Sequence, residues 1–340
     1  MNPIIASILI LFLSPKFQVV TSEMILHEPP FRQCHASTLT ELGDGSLLAA
    51  FFGGSAEGAN DVKIWGARQV NGRWSDPFVL ADGKVMDGNV YPCWNPVLFR
   101  SKAGILYLFY KIGKNPREWF GMMKTSSNDG RTWSNVFSLP GGFLGPIKNK
   151  PVELSPDRLL CPSSVETLTR WSAHMEIWDI TGGAWTKIPI DTTSGFQAIQ
   201  PTILAHSATR YQILCRTKEN VIASAISEDS GLTWSKLDST QLPNPNSGID
   251  GVKLENGTFL LVYNPLKSGK NWSNGRNQLN LASSPDGTTW KDILVLENHP
   301  DGEYSYPAIL QTSDKKIHIT YTYNRTNIKH VVVSISKDID

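Results

Sequence analysis

The sequence predicts an all-β protein built as a six-bladed β-propeller, and three observations support this prediction. A turn motif ends at the tryptophans at positions 74, 133, 185, 234 and 290, which are 59, 52, 49 and 56 residues apart. A second pattern, a polar residue followed in most copies by proline, opens each of six units in phase with the first. Short apolar runs between Gly, Asp and Asn turns fill these units, and no long stretch has helical periodicity. Repeats of this length made of short strands are typical of propellers.

The composition excludes several classes of protein. The 340 residues are 40% hydrophobic and 10% aromatic, which is enough apolar surface for a large core and rules out disorder. The net charge of +1 argues against a dedicated nucleic-acid binder. No nucleotide, flavin or nicotinamide motif is present, and the four cysteines lack zinc spacing, so we expect neither a cofactor nor a metal. The sequence leaves open whether these cysteines are free thiols or disulfides.

The turn motif has the pattern Ser-x-Asp/Asn-x-Gly-x-Thr-Trp. Two copies occupy Ser126–Trp133 and Ser227–Trp234, and a third is read over Ser283–Trp290 with Pro285 in the acidic position. Asp and Ser cap the turn by bonding backbone N–H groups, Gly supplies a positive φ, and Trp packs the turn onto the sheet. We therefore interpret the motif as a structural hairpin element and not as a calcium or catalytic site.

The first residues resemble a secretory leader. Ile4–Leu13 is an apolar and small run too short to span a bilayer, and Val20-Thr21-Ser22 offers small residues for cleavage before Glu23. The sequence predicts a signal peptide over 1–22 and a secreted propeller over 23–340 with no membrane segment after cleavage. A buried N-terminal strand is the alternative. Glycosylation sequons that agree with secretion begin at Asn256, Asn271 and Asn324. We expect a monomer.

The last unit contains only three predicted strands, 304–310, 317–323 and 328–335. We expect residues 24–28 to pair with them as the outer strand of the last blade. Such pairing closes the ring and protects an otherwise open edge.

The residue before each inner-strand proline, or its equivalent, is predicted to face the central channel. All six of these residues are polar or titratable, in strands that are otherwise apolar: His35, Asn95, Lys150, Gln200, Asp250 and Tyr306. A ring of this kind either lines a water-filled channel or forms a ligand site, because functional residues of such folds gather at loops and strand ends.

Three arginines lie near the inner strands. Arg32 precedes the first inner strand, Arg216 ends a second strand, and Arg276 precedes the strand that leads into the third turn motif. The planar guanidinium fork binds a carboxylate in bidentate fashion. We therefore expect the three to converge on one pocket for an anionic ligand.

At this point the chain resembles a known family. The repeated turn, called the Asp box, on a six-bladed propeller is similar to the sialidase superfamily with its BNR/Asp-box repeats, over about residues 23–337. Phe31-Arg32 matches the start of that family's aromatic-Arg-Ile-Pro motif, whereas Gln33-Cys34 departs from its end. The resemblance implies that Arg32, Arg216 and Arg276 hold the substrate carboxylate, that Asp61 is the acid/base and that Tyr304 is the nucleophile.

One position departs from the family in a way that matters chemically. Sialidases place a glutamate about sixteen residues before the second arginine to take the proton of the tyrosine, and here that position is Gln200. A neutral amide does not accept the proton. The carboxylates that the sequence offers as substitutes are Glu57, Glu153, Glu166 and Asp250.

Three functions are compatible with these residues. The first is an exo-glycosidase that cleaves a terminal acidic sugar, sialic acid or a related one, from a glycan or glycoconjugate, with Tyr304 as nucleophile and Asp61 as acid/base. The second is a uronate lyase with His35 or Tyr304 as the base. The third is a binding module without turnover, in which aromatic rings stack on sugars: Tyr91, Trp94, Trp119, Tyr304 and Tyr306.

Overall fold

The fold is a ring of six antiparallel sheets. The computed structural model describes residues 16–85, 88–190, 193, 195–271 and 274–336. Within these ranges the regular structure is β-strand, and no helix long or apolar enough to cross a membrane occurs in them. Neighbouring blades contact one another all the way around the axis, which confirms the predicted six-bladed propeller.

The strands follow the chain blade by blade. The chain begins with β1 (Lys16–Met24). The first blade contains β2 (Gln33–Glu41), β3 (Leu47–Gly54), β4 (Lys63–Val70), β5 (Arg73–Trp74) and β6 (Phe78–Ala81). The second contains β7 (Cys93–Arg100), β8 (Leu106–Ile112), β9 (Phe120–Ser126) and β10 (Phe137–Ser138). The third contains β11 (Val152–Ser155), β12 (Arg158–Glu166), β13 (Trp171–Asp179) and β14 (Trp185–Pro189).

The remaining blades repeat the pattern. The fourth contains β15 (Ala198–Ala205), β16 (Tyr211–Thr217), β17 (Val221–Ser227) and β18 (Asp238–Pro243). The fifth contains β19 (Asp250–Lys253), β20 (Phe259–Tyr263), β21 (Gln278–Ser284) and β22 (Lys291–Asn298). The sixth contains β23 (Tyr304–Gln311), β24 (Ile317–Tyr323) and β25 (Asn327–Ser336), with β1 as its outer strand. The inner strands are therefore β2, β7, β11, β15, β19 and β23.

The core lies between blades that pack face to face. Leu48 of the first blade packs with Leu108 and Tyr110 of the second. Leu260 of the fifth blade packs in the same way with Ile319 of the sixth. These residues come from the middle strands, whose two faces are both covered, so those strands are apolar without interruption.

The four cysteines are buried and free, on strands that build this core: Cys34, Cys93, Cys161 and Cys215. Burial raises the pKa of each thiol. These residues therefore act as small apolar side chains.

The Asp-box turns are structural, and the third copy requires a correction. In the second copy, Ser227 donates to Asp229, and Asp229 accepts from the Thr233 backbone at 2.8 Å. The third copy begins at Ser284 and not at the predicted Ser283. Ser284 and Asp286 make the same hydrogen bonds as Ser227 and Asp229, and Pro285 lies between them. Hydrogen bonds from two backbone N–H groups hold the pKa of Asp286 well below its usual range. A lowered pKa with backbone donors fits a turn cap.

The strand that closes the ring lies earlier in the chain than predicted. It is β1 that pairs with β25, from Lys16 opposite Ser336 to Met24 opposite Lys329, so that of the predicted segment 24–28 only Met24 lies within the paired strand. Ile25 and Leu26 continue the contact by bonding the start of β25. The predicted leader boundary after Ser22 falls inside β1, and residues 1–15 lie outside the described ranges. Cleavage after Ser22 therefore stays a prediction, and it would remove most of this strand.

Glu23 ties the closing strand to both of the blades that meet there. One of its carboxylate oxygens bonds the Trp74 and Gln69 side chains of the first blade, each at 3.0 Å. The same oxygen lies 3.0 Å from His330 Nδ1 of the sixth blade, and His330 in turn bonds His318 at 2.9 Å. The side chains of Trp74 and His330 are buried, so they depend on this carboxylate for their hydrogen bonds.

We predict that Glu23→Ala lowers the free energy of unfolding by about 2 kcal/mol, because it leaves buried donors without acceptors. Urea unfolding followed by tryptophan fluorescence measures the change. Glu28→Ala is the matched control, since Glu28 is exposed and close in the chain. Equal stability of the two variants would contradict the role of Glu23 in ring closure.

A second prediction concerns acid stability at the same seam. Burial, followed by the charge of His330, lowers the pKa of His318 to about 4, and Asp314, Lys316 and Glu23 are the other charged groups around this pair. An unfolded histidine titrates near 6.5, so between about pH 6.5 and about pH 4 the unfolded chain binds a proton that the folded chain does not. The stability contributed by neutral His318 is therefore present above about pH 6.5 and is lost as the pH falls toward 4. Unfolding free energies of wild type and His318→Gln, measured across this range, should show a shallower pH dependence for the variant.

Candidate functional site

The candidate site lies at the end of the channel where the inner strands begin, which we call the mouth. Four inner strands carry a bulge near their start, and one residue of each bulge has a left-handed backbone: Ala36 (φ 56°), Asn95 (φ 37°), Gln200 (φ 54°) and Tyr306 (φ 52°). The equivalent position in β2 is thus Ala36, and the sequence alignment that placed His35 there was one residue out. A bulge re-aims side chains, here those at the start of the inner strands.

Tyr306 is the hub of the mouth. Its phenol oxygen accepts hydrogen bonds from Arg216 at 2.9 Å and from the Gln200 amide nitrogen at 3.3 Å. Arg216 also donates to the Gln200 amide oxygen at 3.2 Å. Gln200 and Tyr306, both predicted channel residues, therefore meet Arg216 in one cluster contributed by the fourth and sixth blades.

Three arginines meet at the mouth, but they are not the predicted three. Arg216 at the end of β16 and Arg276 before β21 are each about 5% exposed and share one acceptor, the backbone carbonyl of Asn246. The third is Arg325, in the turn between β24 and β25, which donates to both oxygens of Glu303 at 3.0 Å. Arg276 lies 3.5 Å from the same carboxylate. Glu303 therefore links Arg276 to Arg325.

Arg32, the arginine expected from the sequence, is exposed. No hydrogen bond or ion pair joins its side chain to the cluster in the described structure. The turn residue Arg325 reaches the mouth instead, because its backbone adopts a left-handed conformation (φ 55°) and its guanidinium also pairs with Glu57 from the β3–β4 loop. Arg325 thus joins Arg216 and Arg276 from a different blade than the one that carries Arg32.

Burial and the neighbouring charges shift the pKa values of Arg276 and Arg325 in the cluster. Burial first, and the charge of Arg216 second, lower the pKa of Arg276 to about 10. Burial also lowers the pKa of Arg325, but Glu57 and Glu303 outweigh it and raise that pKa. The Arg216–Arg276 pair is therefore the part of the mouth where repulsion between cations persists.

Tyr304 does not face the arginines. Its ring is 3% exposed, packs 5.2 Å from Tyr323 and belongs to the apolar cluster between the fifth and sixth blades. Burial, followed by Tyr323, raises its pKa to about 12. The bulge between Ser305 and Ala308 breaks the alternation of β23, so that Tyr306 and not Tyr304 presents its phenol at the mouth.

Two carboxylates stand on the β3–β4 loop. Asp61 is exposed and accepts hydrogen bonds from Ser55, from the backbone at 3.0 Å and from the hydroxyl at 2.9 Å. Glu57, on the same loop, pairs with Arg325. Glu57 thus brings a carboxylate to Arg325 at the rim, and Asp61 lies on the same loop with its carboxylate oriented by Ser55.

The floor of the mouth is formed by His35 and Lys148. The His35 ring lies 4.2 Å from that of Tyr306, and its Nδ1 bonds Thr322 at 2.8 Å. Burial, followed by Arg325, Arg276, Arg216 and Lys148, keeps its pKa well below the usual value, so His35 is neutral. Lys148 bonds Asn149 at 2.8 Å and the carbonyl of Ile249 at 2.9 Å, and burial lowers its pKa to about 7.

The other predicted ring residues lie away from the arginines. Lys150 pairs with Asp250 at 2.7 Å and lines a cavity of about 360 Å³ together with Glu41 and Gln311, which end their inner strands. Asp250 also accepts from Thr202 at 2.8 Å and from the Ile309 backbone at 3.0 Å. This pair therefore joins inner strands inside the channel. Asn95 is buried, and its carbonyl accepts from Lys111 at 3.4 Å.

Aromatic side chains surround the mouth on the side of the second and third blades. Trp94 donates to the carbonyl of Gly113 at 2.8 Å and packs 5.6 Å from Trp119. Trp171 lies 5.8 Å from the guanidinium of Arg216 and 4.4 Å from Lys218. Glu166 is half-buried here, and burial raises its pKa against the opposing effect of Arg216.

Four residues of the mouth were missed or undervalued by sequence reasoning: Lys148, Asn246, Glu303 and Arg325. Each lies in a loop or turn, where no strand pattern marks its direction. Only Glu303 could have been noticed in the sequence, because it directly precedes Tyr304, the predicted nucleophile. No group of three or more His, Cys, Asp or Glu side chains suited to a metal ion occurs among the described residues.

Comparison with known proteins identifies one family and several solved structures that are similar to this chain. The BNR repeat-like domain family matches residues 45–319 of the chain. No curated protein matches it. A protein of unknown function from Dyadobacter fermentans superposes with a TM-score of 0.76 at 15% identity, over 95% of this chain and 100% of the other.

Two glycosidase structures are also similar. The NanB sialidase of Streptococcus pneumoniae has a TM-score of 0.68 at 13% identity, over 94% of this chain and 71% of the other. The α-L-arabinanase of Penicillium chrysogenum has a TM-score of 0.68 at 15% identity, over 94% and 98%. These likenesses concern the fold. With the Asp boxes and the six blades, the match over most of its length shows that the chain belongs to the BNR repeat-like domain family.

Proposed function

We propose that the protein is a glycoside hydrolase that removes a terminal acidic sugar from a glycoconjugate, with the sugar bound at the mouth. The observation that carries the proposal is the burial of Arg216 and Arg276 side by side next to the phenol of Tyr306. Buried cations that repel one another are stabilised by an anion, and a guanidinium pair suits a carboxylate. Sialic acid is the first candidate because sialidases share the fold.

In this proposal the arginines anchor the sugar and other groups do the chemistry. Arg216 and Arg276 hold the carboxylate, while Arg325 is held in place by Glu303 and Glu57. Tyr306 takes the role that the sequence gave to Tyr304. A neutral phenol approaches an anionic sugar without the repulsion that a carboxylate nucleophile would meet, and tyrosine nucleophiles are known in glycosidases.

The proposed reaction has the two steps of a retaining hydrolysis. The Tyr306 oxygen bonds to the anomeric carbon and its proton passes to water, while the glycosidic bond breaks and Asp61 protonates the leaving oxygen. Asp61 then removes a proton from water, which attacks the anomeric carbon, and the tyrosine–sugar bond breaks with reprotonation of the phenol. The hydrogen bonds from Ser55 orient Asp61 for both steps.

One observation favours a second function, binding without turnover. Both neighbours of the Tyr306 oxygen, Arg216 and the Gln200 amide nitrogen, donate to it, so no carboxylate accepts its proton in the described structure. The phenol hydrogen is then directed to a ligand as a hydrogen-bond donor. A site of this kind holds an acidic sugar between arginines and the rings of Trp119 and Trp171.

A uronate lyase has weaker support. It requires a base that reaches the proton beside the carboxylate. His35 is 2% exposed, lies beneath Tyr306 and is bonded to Thr322. Tyr304, the other group proposed as the base, lies in the apolar core and does not face a ligand at the mouth. We further propose that the partner is an acidic glycan outside the cell, which rests on the leader predicted from the sequence.

The two tyrosines provide a matched test. We predict that Tyr306→Phe lowers kcat on a 4-methylumbelliferyl sialoside by at least about a hundredfold, since it removes the reacting oxygen. Tyr304→Phe should leave kcat within about threefold, because Tyr304 lies in the core. Fluorescence release measures both.

The opposite order of the two variants would overturn the role of Tyr306. Absence of turnover by the wild type on sialosides and glucuronides, combined with calorimetric binding of the free sugars, would favour the binding function. An absorbance rise from an unsaturated uronate would favour the lyase.

The arginines predict a preference for charge. Wild type should bind N-acetylneuraminic acid at least about tenfold more tightly than its methyl ester, because hydrogen bonds to a charged group are the stronger ones. Arg276→Met should abolish most of this preference. Arg32→Met should retain it, since Arg32 is exposed and outside the cluster. Isothermal titration calorimetry measures both ligands, and equal loss in the two variants would contradict the assignment.

A further inference from the structure

The arginine pair at the mouth is already occupied by part of the protein. Asn246 lies in the connection between β18 and β19, and its backbone carbonyl accepts from Arg216 and, at 3.1 Å, from Arg276. Its side-chain oxygen accepts from Arg216 Nε at 2.9 Å. One residue therefore presents two oxygens to the fork of Arg216, as a bidentate carboxylate does.

We propose that Asn246 is an internal ligand of the arginine pair and that its turn is displaced when an anionic sugar binds. This proposal rests on the proposed function and adds to it a residue that sets affinity and selectivity. The oxygens of Asn246 are neutral, and a charged acceptor bonds a guanidinium more strongly than a neutral one. A carboxylate therefore displaces this turn, whereas an uncharged sugar competes poorly.

The turn carries local strain that favours its release. Asn246 has a left-handed backbone, with φ 55°, which asparagine tolerates better than most residues. Asn244 and Ser247 are both fully buried, and the amide nitrogen of Asn244 and the hydroxyl of Ser247 have no hydrogen-bond partner among the described residues. Buried polar groups without partners oppose the conformation that buries them.

The turn is fixed on both sides of Asn246, which limits the motion to a short stretch. Pro245 packs so closely on Gly275 that a Cβ atom there would approach it to 2.6 Å. Gly248 faces the ring of Tyr306, which a Cβ atom at that position would meet at 3.3 Å. A rotation of the Asn246 peptide therefore uncovers Arg216 and Arg276 without unfolding the connection. It would also shift Gly248, which lies against the ring of Tyr306.

Two substitutions at one position test the role of the backbone. Asn246→Ala removes the side-chain oxygen and disfavours a positive φ, whereas Asn246→Gly removes the same oxygen but permits it. Phenylglyoxal modifies accessible arginines, and peptide mass spectrometry reports the rate at each. We expect Arg216 and Arg276 to react about fivefold faster in Asn246→Ala than in wild type, with a smaller increase in Asn246→Gly. The exposed Arg131 is the internal reference.

Equal rates in wild type and both variants would overturn the proposal, as would equal increases in the two variants, since the backbone would then play no part. A uniform rise that includes the partly buried Arg68 and Arg100 would indicate partial unfolding and would also count against it. Selective exposure of Arg216 and Arg276 in the order Ala, Gly, wild type supports it.

A second measurement separates this proposal from the proposed function. Calorimetry with N-acetylneuraminic acid and with D-glucuronic acid should show tighter binding by Asn246→Ala than by wild type, about fivefold where the turn competes with the carboxylate. If neither sugar binds any variant while arginine reactivity follows the expected order, Asn246 shields the arginines as proposed and the proposed function fails. If the sugars bind all variants equally and arginine reactivity is unchanged, binding of an acidic sugar at the mouth stands and displacement of the Asn246 turn fails.

Discussion

The mouth of the channel is organised around the repulsion between two buried guanidinium groups. Burial and the charge of Arg216 lower the pKa of Arg276, so these side chains remain together only because oxygens surround them. Asn246 and Tyr306 supply neutral oxygens, and Glu303 supplies a charged one. A buried cation is tolerated where it is paired or fully hydrogen-bonded. The same requirement also defines the chemistry of a ligand.

The ring brings these groups together from distant parts of the chain. Arg216, Arg276 and Arg325 come from the fourth, fifth and sixth blades, and Glu57 comes from the first. The ion pair between Glu57 and Arg325 crosses the junction that β1 closes at the outer edge of the sixth blade. Closure at the periphery and charge pairing at the mouth therefore involve the same two blades.

The fold could be predicted because repeated turns report their period directly in the sequence, and six units of that period admit few architectures. The site could be predicted in part. Arg216, Gln200 and Tyr306 were found from their positions relative to the inner strands. Tyr304 was assigned as the nucleophile from the resemblance to the sialidases, whereas the bulge with a positive φ that directs Tyr306 to the mouth leaves no pattern in the sequence. Arg325 was missed for a related reason: a turn residue has no periodicity.

In the proposed function, Gln200 determines where the proton of Tyr306 can go. A carboxylate at that position would accept the proton of Tyr306, whereas the amide donates to its oxygen and so fixes the direction of the phenol hydrogen. Hydrolysis by Tyr306, as proposed, then requires a route by which the proton leaves toward the ligand or water. Binding alone requires no such route. The position of one proton, and not the geometry of the arginines, therefore separates a hydrolase from a lectin-like propeller at this site.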